Sequence, residues 1–183
     1  MSTDILFIHP GNHKETYQEL SEGYTAKSSP VWTLLLADYV RRKGYNVGIF
    51  DTNVEGWDVN LINKHKPKLI VIMVYGHQPS ASTQTMPATI RIVDDLKASY
   101  KNIPIAIGGN HPSALPERTM SEVNTDFVVQ GEGMYTVEGL IKYVKGESLI
   151  EDIVGLWYRE DGSVQFTSAA PIVKDLDNEL SSY

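Results

Sequence analysis

The sequence predicts an α/β fold: a doubly wound, five-stranded parallel sheet with a small C-terminal β-hairpin extension. Three observations predict it. Short apolar runs alternate with stretches of helical periodicity. The run Leu69 to Val74 is apolar on both faces, as in a parallel strand covered from two sides. Asp161-Gly162 separates two final strand-like runs, as a tight hairpin turn requires.

Each element follows in order. Ile5-Leu6-Phe7-Ile8 reads as a buried strand that ends at His9-Pro10-Gly11. Residues 10 to 29 are polar and form an unusually long loop, a length that often carries function. Ser29 and Pro30 open a helix, with Ser29 as N-cap. Trp32, Leu35, Leu36 and Tyr39 recur at helical spacing and read as core, and Gly44 ends the helix. Val47 to Phe50 is the second strand, and Val59, Leu61 and Ile62 mark a short helix before His65-Lys66-Pro67. After the third strand, Leu69 to Val74, the stripe Met86, Ile90, Val93, Leu96 marks a long amphipathic helix. Pro104 to Ile107 is strand four, and Pro116 to Val123 a short helix. Phe127 to Val129 is strand five, followed by Gly131-Glu132-Gly133 and a helix carrying Val137, Leu140, Ile141 and Val144. The expected division is a sheet domain at 1–149, the hairpin at 150–170 and a linker at 171–183.

Composition narrows the function. A chain of 183 residues buries a core without staples. It has no cysteine, which removes disulfides, iron–sulfur clusters and thiolate zinc sites from the chain itself and fits the cytoplasm. A net charge of −7 argues against nucleic acid as a partner. The longest apolar run, Leu69 to Tyr75, is too short to span a bilayer, so no membrane partner is expected.

Unusual residues gather where strands end. In open α/β sheets, ligands bind beyond the carboxyl ends of the strands. Those ends carry His9-Pro10-Gly11, then Tyr75-Gly76-His77 with Ser80, then Gly108-Gly109-Asn110-His111, then Gly131-Glu132-Gly133. Glycine there permits close backbone approach to a ligand, although glycine after a strand is also an ordinary turn residue. Ser80, Ser82 and Thr83 fit a helix cap, and Glu132 fits the positive end of a helix. His13 and His65 read as solvated, and Trp57 and Trp157 have no assigned role. No complete catalytic constellation, Walker loop or G-x-G-x-x-G is present, which disfavours a nucleotide-hydrolysing or classical dinucleotide site. A zinc site from His9, His77 and His111 lacks fixed spacing, so no metal ligand is assigned.

Four segments carry a family resemblance: "IGGNHPSALPERT", "TDFVVQGEG", "DIVGLWYREDGSV" and "IVKDLD". In that order and spacing they resemble the N-terminal cobalamin-binding region of cobalamin-dependent radical SAM enzymes. The resemblance covers most of the chain. It implies a Rossmann-like, flavodoxin-like sheet that holds cobalamin over the strand ends. It matches Gly108-Gly109 to the paired glycines lining the slot for the nucleotide tail. His9, Pro10, Gly11, Tyr75, Gly76, His77, Ser80, Asn110, His111, Gly131, Glu132 and Gly133 would complete the rim.

Two departures refine this. The first loop reads "HPGNHKE" without the Asp-x-His-x-x-Gly of histidine-ligated domains, so base-off cobalamin without a histidine ligand is expected. Met134 stands where the family often has a second acid. The resemblance also implies that S-adenosylmethionine and an iron–sulfur cluster belong to a C-terminal radical SAM domain absent from this chain. The chain is then a non-catalytic module of a parent enzyme, most often a methyltransferase. Two other readings stay open: a degenerate module that binds no corrinoid and serves as an interaction surface, and a flavodoxin-like protein for a nucleotide or tetrapyrrole.

Overall fold

The computed structural model describes residues 2–11, 29–75 and 79–180. Strands β1 (Ile5–His9), β2 (Val47–Asp51), β3 (Leu69–Val74), β4 (Ile105–Gly109) and β5 (Phe127–Val129) pair in parallel, in the order β2-β1-β3-β4-β5. The hairpin strands β6 (Leu156–Glu160) and β7 (Ser163–Phe166) do not form a separate unit. They continue the sheet, β6 antiparallel to β5 and β7 antiparallel to β6. Asp161 and Gly162 both adopt positive φ, 50° and 79°, as a two-residue hairpin turn requires.

The helices are α1 (Val31–Arg42), α2 (Thr52–Glu55), α3 (Ile62–His65), α4 (Pro79–Ser99), α5 (Asn110–Ala114), α6 (Pro116–Glu122), α7 (Met134–Val144) and α8 (Leu176–Leu180). Strand alternation sorts the core into two layers. Phe7, Val71, Met73, Ala106 and Val129 meet Leu36 and Val40 of α1 and Val137 and Leu140 of α7. Leu6, Ile8, Ile72, Val74 and Ile107 meet Met86, Val93 and Leu96 of α4. Each fully buried aliphatic side chain contributes about 1.5–3 kcal/mol, so β3, buried along its whole length, anchors the fold.

Three details differ from the sequence reading. Pro30, not Ser29, is the N-cap residue of α1, with no side-chain cap bond. Trp32 is 45% exposed rather than core. The buried stripe of α1 runs Thr33, Leu36, Ala37, Val40, which turns Trp32 out at its edge. Residues 171–180, expected to run off as a linker, lie against the domain. Val173 joins the core beneath α1 and α7, and Glu179 of α8 pairs with Lys43 at 3.9 Å.

Candidate functional site at the strand ends

The order β2-β1-β3 reverses direction at β1, so the crevice of this sheet opens beyond the ends of β1 and β3. His9 and Tyr75 stand there, with Gly109 and Gln130 following the neighbouring strands. Of the rim residues expected from sequence, Gly76 and His77 lie outside the described residues, as do His13 and the side chain of Ser80. The others share this edge.

Its first loop is tied down by one hydroxyl. Thr52 Oγ1 donates to the His9 carbonyl at 3.1 Å and accepts from the Gly11 N–H. Pro10 lies between those two contacts, and so the turn after β1 is held against the start of α2.

The glycine pair separates into two roles. Gly109 has φ 131° and ψ −176°, a region essentially closed to other residues. A Cβ built there would overlap the Val74 carbonyl of β3. Its glycine is therefore explained by the fold. Gly108 lies one residue earlier and faces the α1 and α7 side. A Cβ there would meet Val129 at 3.5 Å and Met73 at 3.6 Å, ordinary contact distances. The fold does not demand glycine at 108.

Beyond Gly109, Asn110 is exposed and opens α5, while His111 is held on both sides. Its N–H donates to Ser82 Oγ at 2.9 Å, and its Nδ1 lies 3.0 Å from Thr83 Oγ1. Ser82 Oγ in turn donates to the Val74 carbonyl at 2.6 Å. Ser82 and Thr83 are thus not helix caps. They sit inside α4, where Ser82 pins the end of β3 to the start of α5 and Thr83 engages the His111 ring. Burial, then the charge of Arg118, lowers the His111 pKa below 6.5, with Glu122 opposing. Folded His111 resists protonation, so its contribution to stability is intact above pH 6.5 and is lost as pH falls toward its depressed value. We expect the melting temperature to fall between about pH 7 and pH 5 less steeply in His111→Asn than in the parent. Equal slopes in thermal unfolding would remove this account.

On the opposite face of the rim, Trp32 stacks on Tyr75, centroids 5.9 Å apart and rings inclined by 22°. Burial, aided by the charge of Glu132, pushes the Tyr75 phenol up to about 12, so it is neutral at physiological pH. It can stack or donate a hydrogen bond but does not offer a phenolate. Next to Trp32, Thr33 is buried, and among the described residues its Oγ1 has no hydrogen-bond partner. An unsatisfied buried hydroxyl costs about 1–3 kcal/mol, so a ligand that supplied its partner would recover that cost.

The last rim turn is built from Gln130 to Gly133. The Gln130 N–H donates to the Gly155 carbonyl at 2.9 Å, and its side chain takes the Trp157 indole N–H at 2.9 Å while donating to the Ser113 carbonyl at 3.2 Å. The Gly131 N–H donates to Ser113 Oγ at 3.1 Å. Gly133 is the N-cap of α7. Glu132 does not serve the helix start. Its Oε2 accepts the N–H of Val173 at 2.9 Å. Sequence reasoning passed over Thr33 and Gln130, and it read Trp32 as core and Ser82 as a helix cap. The available signal was the phase of the α1 stripe, which places Thr33 inward and Trp32 outward.

The model of the B12 binding domain matches residues 24–141. This chain belongs to the B12 binding domain family. Among curated relatives, this B12 binding domain is 28% identical over 153 residues to the anaerobic magnesium-protoporphyrin IX monomethyl ester cyclase of Synechocystis sp.. It is also 28% identical over 153 residues to an uncharacterized methyltransferase of Pyrococcus horikoshii. The match takes in 81% of this chain but only 30% and 32% of those proteins. Its fold is shared with two solved structures. One is the radical S-adenosylmethionine methyltransferase TsrM from Kitasatospora setae with cobalamin and a [4Fe-4S] cluster bound: TM-score 0.70, 15% identity, 94% of this chain and 30% of that one. The other is the cobalamin-dependent S-adenosylmethionine radical enzyme OxsB with aqua-cobalamin and S-adenosylmethionine bound: TM-score 0.66, 20% identity, 98% of this chain and 24% of that one.

Proposed function

We propose that this B12 binding domain holds cobalamin over the strand ends, base-off, with no histidine of its own on cobalt, as the N-terminal module of a radical SAM enzyme. The observation that carries this reading is Gly108: a residue without side chain, facing α1 and α7, at a place where the backbone would accept a Cβ. A vacant Cβ position serves a ligand that needs the volume. The residues present fit the group. Gly108 leaves room for the nucleotide tail, Thr33 offers a buried hydroxyl without a partner, and the Trp32–Tyr75 stack lies on the same face as an apolar flank. Asn110 and Glu132 offer polar contacts to peripheral carboxamides.

Cobalamin would supply methyl-group carriage between S-adenosylmethionine and a substrate, with the cluster and S-adenosylmethionine held by a further domain. This chain's residues bind and orient. His111 Nδ1 is engaged by Thr83, which supports a hydrogen-bonding role for this imidazole. Methyl transfer fits the methyltransferases among the similar proteins.

Mixing the protein with hydroxocobalamin, desalting it and recording the visible spectrum tests the reading. Retained corrinoid with a base-off spectrum is expected, unchanged by His9→Ala, His77→Ala or His111→Ala. Protein emerging without corrinoid would leave the module as an interaction surface only. The tail placement has its own test. Trp32→Ala should weaken cobalamin about tenfold, the worth of one good aromatic contact. The same variant should change affinity less than about twofold for cobinamide, which lacks the nucleotide tail. Equal losses for both corrinoids in titration calorimetry would put Trp32 outside the tail site.

A further inference from the structure

The segment after the hairpin crosses the α1 and α7 face as a strap. Its start is fixed where the Ser168 carbonyl accepts the Gly155 N–H at 2.5 Å. It ends in α8, which packs on α1 and places Glu179 3.9 Å from Lys43. Between those points one residue is anchored. Val173 is 5% exposed and belongs to the core cluster that α1 and α7 share, whereas Ile172 is 78% exposed and Lys174 is exposed. Among the described residues, the side chain that reaches the strap's backbone there comes from the binding rim: Glu132 Oε2 accepts the Val173 N–H at 2.9 Å, across 41 residues.

Two features set Glu132 apart from a purely structural brace. It forms no salt bridge among the described residues, and its second oxygen, Oε1, has no hydrogen-bond partner among them. It also lies between two glycines of positive φ, 88° and 87°, in the turn that closes the rim next to Tyr75. A half-buried carboxylate with one oxygen committed to a backbone amide and the other available is an acceptor for a second N–H donor.

We propose that Glu132 is a two-way positioning residue. One oxygen holds the strap at Val173 and the other accepts a carboxamide N–H from the corrin periphery, so that cofactor occupancy and strap closure reinforce each other. This rests on the cobalamin reading above. Coupling of this kind is reciprocal: whatever tightens the strap tightens the corrinoid by the same factor.

Hydrogen exchange at the Val173 amide, measured with and without saturating hydroxocobalamin, tests the link. In the parent, cofactor should slow exchange at Val173 about fivefold. In Glu132→Ala, exchange at Val173 should be faster in the free protein and unaffected by cofactor, and affinity for hydroxocobalamin should fall about tenfold. Glu132→Gln, which keeps one carbonyl acceptor, should restore part of both effects. Thermal unfolding of both variants controls for folding. A parent that retains corrinoid but shows unchanged exchange at Val173 overturns the coupling and leaves the cobalamin reading standing. A Glu132→Ala variant that binds as tightly as the parent overturns it as well. A parent that retains no corrinoid sinks the cobalamin reading, and the coupling falls with it.

Discussion

Gly109→Ala should destabilise the protein severely, while Gly108→Ala, one residue away, should leave stability within about 1 kcal/mol. At 109 the added Cβ demands a backbone region costing about 1–3 kcal/mol for any other residue. Its collision with the Val74 carbonyl adds about 1–3 kcal/mol of overpacking. The total is a large share of a typical domain's stability of about 5–15 kcal/mol. At about 2–4 °C per kcal/mol for a chain of this size, the melting temperature should drop by about 4–24 °C. At 108 the Cβ meets only ordinary contacts at 3.5 and 3.6 Å, and φ is not in the left-handed region. Its effect should fall on corrinoid affinity instead. Calorimetric unfolding of the two variants, followed by cobalamin titration of Gly108→Ala, separates these effects. Equal melting temperatures would remove the division of labour within the pair. A Gly108→Ala variant that binds as the parent does would remove the slot from this position.

Ser82→Ala should cost about 2–3 kcal/mol. The hydroxyl is fully buried and serves two backbone groups at once, the Val74 carbonyl at 2.6 Å and the His111 N–H at 2.9 Å. Alanine removes the partner of both groups, leaving two polar groups unpaired at the edge of the site. Because those groups end β3 and begin α5, the loss should also loosen the segment after Gly109. Chemical denaturation gives the stability difference. Faster amide exchange at Asn110 and His111 would report the local effect. A variant within about 0.5 kcal/mol of the parent would show that the bridge contributes little beyond what solvent provides.

Much of this architecture was legible from sequence because it rests on local rules. The run Leu69 to Val74 has no polar face, and the structure buries every residue of it. Asp161-Gly162 is a turn that few other dipeptides make well, and the hairpin lies around it. The rim was legible as a gathering of glycines and histidines at strand ends. What each residue does there was not. Telling Gly108 from Gly109 requires the sheet register, which sets one toward α7 and the other against Val74. Trp32 belongs by composition to a core, but the phase of α1 turns it to the rim. Ser82 resembles a cap because serine near a helix start commonly is one. Its actual partners come from two other elements. The strap left no periodic signal, since a single buried side chain and a single bond from Glu132 hold its middle, and neither produces a pattern.

The hairpin has a consequence for direction of travel. β5 runs toward the binding rim, and Val129 at its end is paired with Leu156. β6 therefore begins at the rim and descends to Glu160, and β7 climbs back, with Phe166 beside Trp157. Adding strands in a pair preserves the end at which the chain emerges. A single added strand would have delivered it to the opposite end of the strands, away from Glu132. Parity, rather than area, is what these two short strands contribute: they return the backbone to the end where the ligand would sit, so that the next residues can pass across it.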